Sequence, residues 1–508
     1  MPQSLEWNSN TTRAVIAAAT ALTAYVAYKS LLPSSPIRKL PKSGHKSPHQ
    51  YIWDPSQSNE EGEKYPKLEQ SSFVGSAAVI VNDAELAHKI LIRQDRYRPG
   101  HAYGRSPTIA DFHAVLLGDL LSLGTKLIFF PPGANIANAT GEDWRIRRDT
   151  LVPQFQTRII MSDILPSVIS KTEAMINDIR AQGDKLVDIN YHFVKLTSDV
   201  ICDYIFGETP QPGEVTFRSF DKPAQSMLKI KLKIILDVFG VKSDSQLEIE
   251  RNTRFALRAI HKVKRGQSKC SNGSPTLCER LLQYEEYQGP EGEARLAQEL
   301  LIMVFAGHDT TAHSLTVLSY VLSQVPECVD KIRQEIERII PTTADMTAAK
   351  LSKLEYTSAV IKESLRLHPL VDVILIHSYE DNVIDDLPVP KGTAVFLPAY
   401  RIQRDPTIFK KPLAYLPERW LEEDLQLQQD LETVGSDKSK LGNAFLTFSA
   451  GTHACLGMNL AYLELRVATA LLVKNFDWEY NGPVPQNGGF LLRLKDKLML
   501  KFRPREAN

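Results

Sequence analysis

A short loop combines one cysteine with glycine and other small residues directly before an apolar helix pattern. The loop reads Phe448-Ser-Ala-Gly-Thr-His-Ala-Cys455-Leu-Gly457, and the helix pattern covers 458–473. A metal-binding thiolate needs its negative charge stabilised, and a loop that enters a helix N-terminus supplies unpaired backbone N–H groups and the positive end of the helix dipole. This environment suits Cys455 as a metal ligand, although a lone cysteine is more often an inert buried residue.

The spacing of this loop resembles the cysteine-ligand loop of the cytochrome P450 family, FxxGx(R/H)xCxG, in which the cysteine binds haem iron as a thiolate. Phe448, Gly451, Cys455 and Gly457 match the pattern. His453 stands where the family more often has arginine, and a histidine there can still donate a hydrogen bond to a haem propionate. The resemblance implies haem b (iron protoporphyrin IX) with Cys455 as the metal ligand and the other four residues as its surroundings.

A second run of chemically capable residues, Ala306-Gly-His-Asp309-Thr310-Thr, lies within the long apolar helix pattern at 293–324. It resembles the family's oxygen-binding AGx(D/E)TT. Small residues at Ala306 and Gly307 let a backbone approach haem and dioxygen, and a threonine hydroxyl that competes for a helix carbonyl opens a groove for water. The resemblance makes Asp309 and Thr310 a catalytic pair that delivers protons by general acid catalysis. Taken alone, Gly-Asp-Thr is also a frequent helix cap.

Glu363 and Arg366 are i and i+3 neighbours on a predicted helix and can form an ion pair. This ExxR pattern occurs by chance in many proteins, and an exposed pair contributes less than about 1 kcal/mol. Its position upstream of the cysteine loop makes it similar to the family's ExxR. Together with Arg419, the resemblance implies a buried network that locks the haem-binding core.

The segment Trp144-Arg-Ile-Arg-Arg148 is similar to the family's WxxxR, which places Trp144 and Arg148 one helical turn apart and directs both at a propionate. A plain basic helix face is the competing interpretation. Arg145 and Arg147, on other faces of the helix, are predicted to attract an acidic redox partner by steering. His377 stands where many relatives carry a further haem-binding arginine, and its role stays open.

Composition and missing motifs exclude several classes of protein. Lys+Arg 60 and Asp+Glu 60 give a net charge of zero, which disfavours nucleic-acid binding. The 43% hydrophobic residues predict a folded core. The five cysteines contain no CxxC pair and fit a reducing compartment. The sequence contains no GxSxG, HExxH or GxGxxG, which disfavours hydrolases, zinc proteases and nucleotide-binding domains.

An apolar run at 14–32 is about long enough to span a bilayer. Basic residues are concentrated after this run, so the positive-inside rule places the rest of the chain in the cytosol. The predicted organisation is a short lumenal segment at 1–13, a transmembrane anchor at 14–32, a basic, proline-containing linker at 33–50 and a catalytic domain at 51–508. A cleaved signal peptide and a buried helix remain alternatives.

Hydrophobic periodicity predicts a mainly α fold with small β-sheets, preceded by the one N-terminal transmembrane helix. Helical patterns cover 153–180, 191–206 and 293–324, and alternation at 490–502 predicts a C-terminal hairpin. The resemblance implies the cytochrome P450 fold, with haem between the oxygen-binding helix and the cysteine loop. The anchor is similar to that of membrane-bound eukaryotic members, and the general character of the sequence resembles that of fungal members.

The resemblance implies a monooxygenase that inserts one oxygen atom from O2 into an apolar organic substrate by hydroxylation or epoxidation. Its electrons would come from NADPH through NADPH–cytochrome P450 reductase, with cytochrome b5 as an optional second donor, at the endoplasmic reticulum membrane. The positions that line the pocket in relatives are mostly apolar here, which favours a fatty acid, terpenoid or polyketide intermediate and a role in secondary metabolism. They are 112–123, Met303, Phe305, 370–374 and 490–491.

Three alternatives stay open at this point. The first alternative is a haem-thiolate enzyme of another type (peroxide-using, isomerase or dehydratase). The second is a fatty-acid or xenobiotic hydroxylase of primary metabolism, and the third is a catalytically silent haem sensor. The Asp309–Thr310 pair favours the monooxygenase over the first and the last, because a protein that does not activate oxygen has no need of a proton-delivery pair.

Overall fold

The computed structural model of the chain describes residues 36–42, 64–73, 76–92, 103–105, 135–137, 139, 141–210, 244–378, 380–421, 438–488 and 493–505. Among these residues, none of the helices combines the length and the apolar character needed to cross a membrane. The predicted lumenal segment, the anchor and most of the 33–50 linker lie outside the described residues.

Helices dominate the described residues, as the mainly α prediction requires. The α-helices are α1 Ala84–Ile92, α2 Gly141–Leu151, α3 Leu165–Arg180, α4 Ile189–Phe206, α5 Asp244–Lys264, α6 Leu277–Leu281, α7 Gly289–Gln324, α8 Pro326–Ile339, α9 Ala348–Leu351, α10 Glu355–Leu367, α11 Ala399–Ile402, α12 Lys438–Ala444 and α13 Met458–Asn475. A one-turn α-helix at Thr157–Ile159 precedes α3, and short 3-10 turns include Pro417–Trp420 and Gly451–His453.

The strands in the described part of the chain are short and form four small sheets. They are β1 Leu68–Phe73, β2 Ser76–Val81, β3 Tyr103–Arg105, β4 Leu186–Asp188, β5 Ile374–Ser378, β6 Asn382–Ile384, β7 Leu387–Val389, β8 Ala394–Leu397, β9 Phe476–Glu479, β10 Asn487–Gly488, β11 Arg493–Leu494 and β12 Met499–Pro504. The largest sheet has the order β1-β2-β8-β5-β3, with β2 and β8 parallel and its other pairs antiparallel. The other sheets are β4-β12-β9, β10-β11 and β6-β7.

The long helix α7 packs along α4 more extensively than any other described pair of elements. Gly307 lies at this contact, where an added Cβ would fall 2.9 Å from Cγ1 of Ile201. The hydroxyl of Thr197 on α4 donates a hydrogen bond to the carbonyl of His308 at 2.6 Å. The absent side chain of Gly307 therefore serves the close packing of α7 on α4.

Among the residues that the structure describes, two hydrophobic clusters form the interior, a large one built mainly from helices and a smaller one around β2, β5 and β8. The cysteine loop lies where they meet. Phe448 and Leu456 pack against the helical cluster, whereas Ala450 packs against the sheet cluster. The loop is thus held from both sides by the folded core.

Two predicted elements are wrong in detail. The 153–180 helix is divided into a 3-10 turn Val152–Phe155, the turn Thr157–Ile159, a π-helical turn Ile160–Ile164 and α3. Pro153 and Pro166 each lie in the first turn of a segment, where the missing N–H costs no hydrogen bond. In the described part of the predicted C-terminal hairpin, β11 and β12 do not pair with each other: β11 pairs with β10, and β12 pairs with β4 and β9.

Candidate functional site

The sulfur-bearing loop is held in shape by backbone contacts. The N–H of Cys455 donates to the carbonyl of Phe448 at 2.8 Å, which closes the loop just before α13. Gly451 has a φ of +69°, and an added Cβ would lie 2.6 Å from the carbonyl oxygen of Leu91 in α1. Glycine is therefore required at this position by both the backbone conformation and the close approach of α1.

Cys455 differs from the other four cysteines in its accessibility. Its residue is exposed, whereas Cys202, Cys270, Cys278 and Cys328 are all buried. Burial raises the pKa of the thiols of Cys202, Cys270 and Cys278 to about 12 and that of Cys328 to about 11. These four thiols stay protonated at neutral pH and are poor nucleophiles and ligands, so Cys455 is the cysteine able to meet a metal.

Gly457, two residues after Cys455, leaves open space beside the loop. It directly precedes α13, its backbone is not left-handed, and an added Cβ would meet no atom within 4 Å. The space beside it is open, so a flat group can lie against the start of α13 next to the exposed sulfur.

Trp144 and His453 form an aromatic stack that joins α2 to the cysteine loop. Their ring centroids are 3.8 Å apart with an interplanar angle of 19°. Arg148, one turn further along α2, donates from Nη2 to the carbonyl of Ala454 at 2.9 Å and lies with its guanidinium carbon 5.9 Å from the Trp144 ring centroid. The structure thus brings two nitrogen-bearing side chains and one indole ring together beside Cys455.

Ala306 and Thr310 lie one turn apart on α7. Ala306 is exposed and Thr310 is half-buried. The Thr310 hydroxyl donates to the carbonyl of Ala306 at 2.8 Å, the local competition for a helix carbonyl that opens room for a polar ligand or water. These two residues give α7 an accessible face next to the buried side chain of Asp309.

Asp309 is buried, and burial raises the pKa of its carboxyl group to about 6. Nδ1 of His313, one turn later, lies 3.5 Å from Oδ1 of Asp309 and 2.8 Å from its carbonyl oxygen. Burial also lowers the pKa of His313, so this imidazole is neutral at physiological pH. A carboxyl group with a pKa near neutrality is able both to give and to take a proton under working conditions.

Glu363, Arg366 and Arg419 form a fully buried network. Arg366 binds Glu363 with two hydrogen bonds of 2.9 and 2.8 Å, and Nε of Arg419 donates to the same carboxylate at 3.0 Å. Burial opposes the charge, but the two guanidinium groups hold the pKa of Glu363 down at about 2. Trp420 Nε1 and the N–H of Leu416 donate to Glu363 as well, so every oxygen of the carboxylate is satisfied.

Gln403 extends this network to the cysteine loop and was missed by sequence analysis. Its side-chain N–H group donates to the carbonyl of Arg366 at 2.8 Å, and its side-chain oxygen accepts from the N–H of Leu446 at 2.8 Å and the hydroxyl of Thr447 at 3.0 Å. A glutamine in a turn carries no pattern in the sequence, and only its burial with these partners reveals the connection.

His377 lies in β5 between β8 and β3, opposite Ala394 and Gly104. The side chain is buried, and burial lowers the pKa of His377 to about 4, so the imidazole is neutral where an arginine would be charged. It therefore offers hydrogen bonding without a positive charge.

The structure contradicts the prediction for Arg147. Its side chain is 3% exposed and forms an ion pair with Glu299 of α7, so it is not available to an approaching partner. Arg145 keeps an exposure of 39%, but its guanidinium group pairs with Glu142 and Asp149 on the same helix. Arg145 and Arg147 look equivalent in the sequence, because Glu299, the residue that pairs with Arg147, comes from the distant helix α7.

Comparison with known proteins places this geometry in context. The family model described as cytochrome P450 matches residues 121–502. The chain is 26% identical over 388 residues to cytochrome P450 3A25 of Mus musculus, covering 71% of this chain and 74% of that protein. It is 26% identical over 450 residues to the cytochrome P450 monooxygenase macH of Penicillium terrestre, covering 84% and 81%. It is also 26% identical over 364 residues to the cytochrome P450 monooxygenase sdnE of Sordaria araneosa, covering 66% and 69%.

Proposed function

The chain belongs to the cytochrome P450 family and is a monooxygenase of the haem-thiolate type; we propose that Cys455 is its iron ligand and that its substrate is an apolar organic molecule. Haem held by a cysteine thiolate activates O2 with two electrons and two protons, so that one oxygen atom enters the substrate and the other leaves as water. The accessibility of Cys455, alone among five cysteines, carries the assignment of the ligand.

The residues around the sulfur fit a haem group by their chemistry. Haem carries two propionate carboxylates, and Arg148 and His453 offer N–H donors beside the loop, with Trp144 supporting the His453 ring. The open space beside Gly457 accommodates a flat ring at the start of α13. His377 would add a neutral donor, because its pKa is lowered by burial.

Asp309 and Thr310 are proposed to handle protons on the other side of the site. The Asp309 carboxyl group, whose pKa of about 6 lies close to neutrality, can both take up and release a proton under working conditions. Thr310 presents a hydroxyl on the accessible face of α7, so a proton that leaves the Asp309 carboxyl reaches the oxygen-binding region through that hydroxyl and ordered water. The pair favours a monooxygenase over a peroxide-using enzyme or an isomerase, which need no such delivery.

The substrate class rests on the side chains near α7 and β5. Met303 is buried, Phe305 is half-buried, and Leu370, Val371, Val373 and Ile374 form a largely apolar segment before and into β5. Apolar walls with few polar groups select apolar ligands. We place this chemistry in secondary metabolism, with a fatty acid, terpenoid or polyketide intermediate as the substrate. The predicted lining residues at 112–123 and 490–491 lie outside the described residues.

The proposed electron donor is NADPH–cytochrome P450 reductase, with cytochrome b5 as an optional second partner, acting at the endoplasmic reticulum membrane. A membrane-anchored enzyme with a cytosolic catalytic domain meets both donors at the same surface. Of the two arginines assigned to this contact from the sequence, Arg145 is the one that remains exposed.

The test of this function uses the purified protein with its reductase. We expect a carbon monoxide difference band near 450 nm, the signature of a thiolate-bound haem, and NADPH-dependent incorporation of labelled oxygen from O2 into product. The Cys455→Ser variant should lose both, because a serine hydroxyl is a poor iron ligand and does not supply a thiolate. Cys270→Ser, at a buried cysteine whose thiol contacts the backbone carbonyls of Tyr204 and Pro275, should keep the band.

A Cys455→Ser protein that retains the 450 nm band and normal turnover would refute the ligand assignment. Product oxygen derived from peroxide, with no requirement for reductase, would refute the monooxygenase reaction proposed for the intact chain.

A further inference from the structure

Helix α2 is attached to two different parts of the molecule through two of its faces. Trp144 and Arg148 face the cysteine loop, where they contact His453 and Ala454. Residues 143 and 147 form the second face, which meets α7. Successive residues of a helix are about 100° apart around its axis, so the face of residues 143 and 147 is rotated by about 100° from the face of residues 144 and 148.

The second attachment is an ion-pair network in which the central pair is buried and the outer pair, Asp143 and Arg295, is partly exposed. The side chains of Arg147 and Glu299 are 3% and 0% exposed and form an ion pair. Nε of Arg147 also donates to Asp143 at 3.1 Å, and the other oxygen of Asp143 accepts from Arg295 of α7 at 2.9 Å. Two carboxylates and two guanidinium groups thus join α2 to α7.

Glu299 uses both of its carboxylate oxygens. Oε1 pairs with Arg147, and Oε2 accepts a hydrogen bond of 3.0 Å from the backbone N–H of Ile136. Ile136 belongs to the described segment 135–137 that precedes α2 in the chain. One buried side chain of α7 therefore fixes both α2 and the backbone leading into it.

We propose that Glu299 and Arg147 are positioning residues that set the rotation of α2 about its own axis, and that this rotation directs Trp144 and Arg148 at the haem propionates. The inference rests on the proposed function, because it takes haem to lie beside Cys455. A helix attached through one face can still roll on its support, whereas attachments about 100° apart prevent both rolling and sliding.

The sequence of α2 would allow the helix a second orientation, so a contact that selects one orientation is needed. Arg147 and Arg148 are adjacent and chemically identical, so a roll of about 100° would exchange the one that faces the loop. Glu299 is fully buried, and its carboxylate needs a cationic partner; Arg148 is the arginine that a roll of about 100° would bring to it in place of Arg147. In that arrangement Trp144 would leave the His453 stack. The ion pair thus selects one orientation, the use of buried charges that is best attested.

Two variants test the proposal. Glu299→Gln keeps the side-chain volume and an oxygen acceptor for Ile136 but removes the charge that holds Arg147. The double variant Arg147→Met, Glu299→Gln removes both charges, so no unpaired charge stays buried and folding is preserved. In both we expect haem to dissociate about tenfold to a hundredfold faster to an apomyoglobin acceptor, the scale found when groups that support a ligand are removed.

A second readout does not depend on haem. In the haem-free protein, the backbone amides of α2 should exchange hydrogen faster in the double variant than in the parent, because α2 has lost one of its two attachments. Arg147→Lys keeps the charge but lacks the planar fork of donors, and it should give an intermediate haem dissociation rate.

The control is an ion pair elsewhere in the fold. Asp163, in the π-helical turn before α3, pairs with Arg280 of α6, so this ion pair joins neither α2 nor α7. Asp163→Asn should lower the thermal unfolding midpoint and leave the haem dissociation rate and α2 exchange unchanged. A double variant that folds with the parent's haem dissociation rate and α2 exchange would overturn the proposal. So would a double variant that fails to fold while Asp163→Asn folds, since the pair would then serve stability alone. Absence of haem and of the 450 nm band from the parent would instead refute the proposed function.

Discussion

The proton pair shows how burial separates the tasks of two neighbouring residues. Asp309 is buried and carries a carboxyl group with a pKa raised to about 6, while the adjacent Thr310 lies on the accessible face of α7. In the proposed relay, the buried acid exchanges protons through the accessible hydroxyl of Thr310 rather than directly with bulk water.

We expect Thr310→Ala to bind haem normally but to release reduced oxygen as hydrogen peroxide. Without the hydroxyl, protons no longer reach the oxygen-binding region in an ordered way, and electrons from NADPH are consumed with little product. The measurement is the ratio of product and peroxide to NADPH oxidised. Thr316→Ala is the matched control, because Thr316 also donates to the carbonyl one turn before it, that of Ala312 at 2.8 Å. Tight coupling in Thr310→Ala would contradict the relay.

The buried carboxyl group of Asp309 should also leave a mark on stability. Its folded-state pKa of about 6 exceeds the ordinary 3.8, so the folded protein binds this proton more tightly than the unfolded chain. That contribution is present below pH 3.8 and is lost as the pH rises through about 6. Asparagine does not ionise, so Asp309→Asn does not lose stability as the pH rises. Above about pH 7 the variant should be more stable than the parent by at most about 3 kcal/mol.

Chemical unfolding of the parent and of Asp309→Asn at a series of pH values measures this effect. The difference in unfolding free energy should grow between about pH 4 and about pH 6 and stay constant above. A difference that does not change with pH would show that folding leaves the pKa of Asp309 at its ordinary value. The asparagine keeps the shape of the side chain, so packing changes little.

At this scale the sequence shows residue types and their spacing, but not the partners that the fold brings to each side chain. The stack of Trp144 on His453 and the bonds of Gln403 join residues from distant parts of the chain, and no local pattern carries such information. The same limit explains Arg147, which looked exposed because its partner Glu299 comes from α7.

At the scale of elements, the Glu363 network joins helix α10 to the turn Pro417–Trp420 and to the loops around it. Arg366 donates to the carbonyls of Gln403 and Pro412, both at 2.8 Å, in addition to its bonds with Glu363. The loops that lead toward Cys455 have little regular structure of their own. The buried charges therefore replace the backbone hydrogen bonds that a sheet or a helix would supply.

Glu363→Ala and Arg366→Ala should each yield haem-free, poorly folded protein. Removing one member leaves an uncompensated buried charge, which costs about 3 to 5 kcal/mol. Haem content per polypeptide and the thermal unfolding midpoint measure the effect. Asp330→Ala is a control with the same i, i+3 spacing, because Asp330 pairs with Arg333 but its side chain is 65% exposed. It should cost less than about 1 kcal/mol. Normal haem content in both network variants would exclude the proposed role.

Element types were easier to predict than their boundaries and pairings. The periodic patterns at 191–206 and 293–324 correspond to α4 and α7, because each buries a continuous apolar face. The interruption before α3 follows from Pro153 and Pro166, which begin new helical segments without disturbing the hydrophobic periodicity on which the prediction rests. The C-terminal alternation indicated strands correctly, but the partner of a strand is decided by the sheet that needs an edge, here β4 and β9 for β12.

At the scale of the whole molecule, the cysteine loop is placed by the meeting of two cores. One cluster is mainly helical and the other surrounds the largest sheet, and the loop contributes Phe448 and Leu456 to the first and Ala450 to the second. Sequence periodicity predicted a mainly α fold with a minor β part, and the family resemblance added the cytochrome P450 fold, but neither predicted that the loop lies between two cores. A ligand held at such a junction reports on the folding of both parts.

The predicted anchor at 14–32 is a property of the whole chain, since it decides where the catalytic domain works. The full chain should sediment with membranes and resist extraction by alkaline carbonate, because a run of about 20 apolar residues inserts stably into a bilayer. A chain lacking residues 1–32 should be released by carbonate and keep the same 450 nm band, since the haem-binding residues all lie beyond 140. Asn10 belongs to the sequon Asn10-Thr11-Thr12, so glycosylation there, abolished by Asn10→Gln, would report a lumenal N-terminus. Release of the full chain by carbonate would contradict the anchor, and a mature N-terminus beyond residue 32 would identify the run as a cleaved signal peptide.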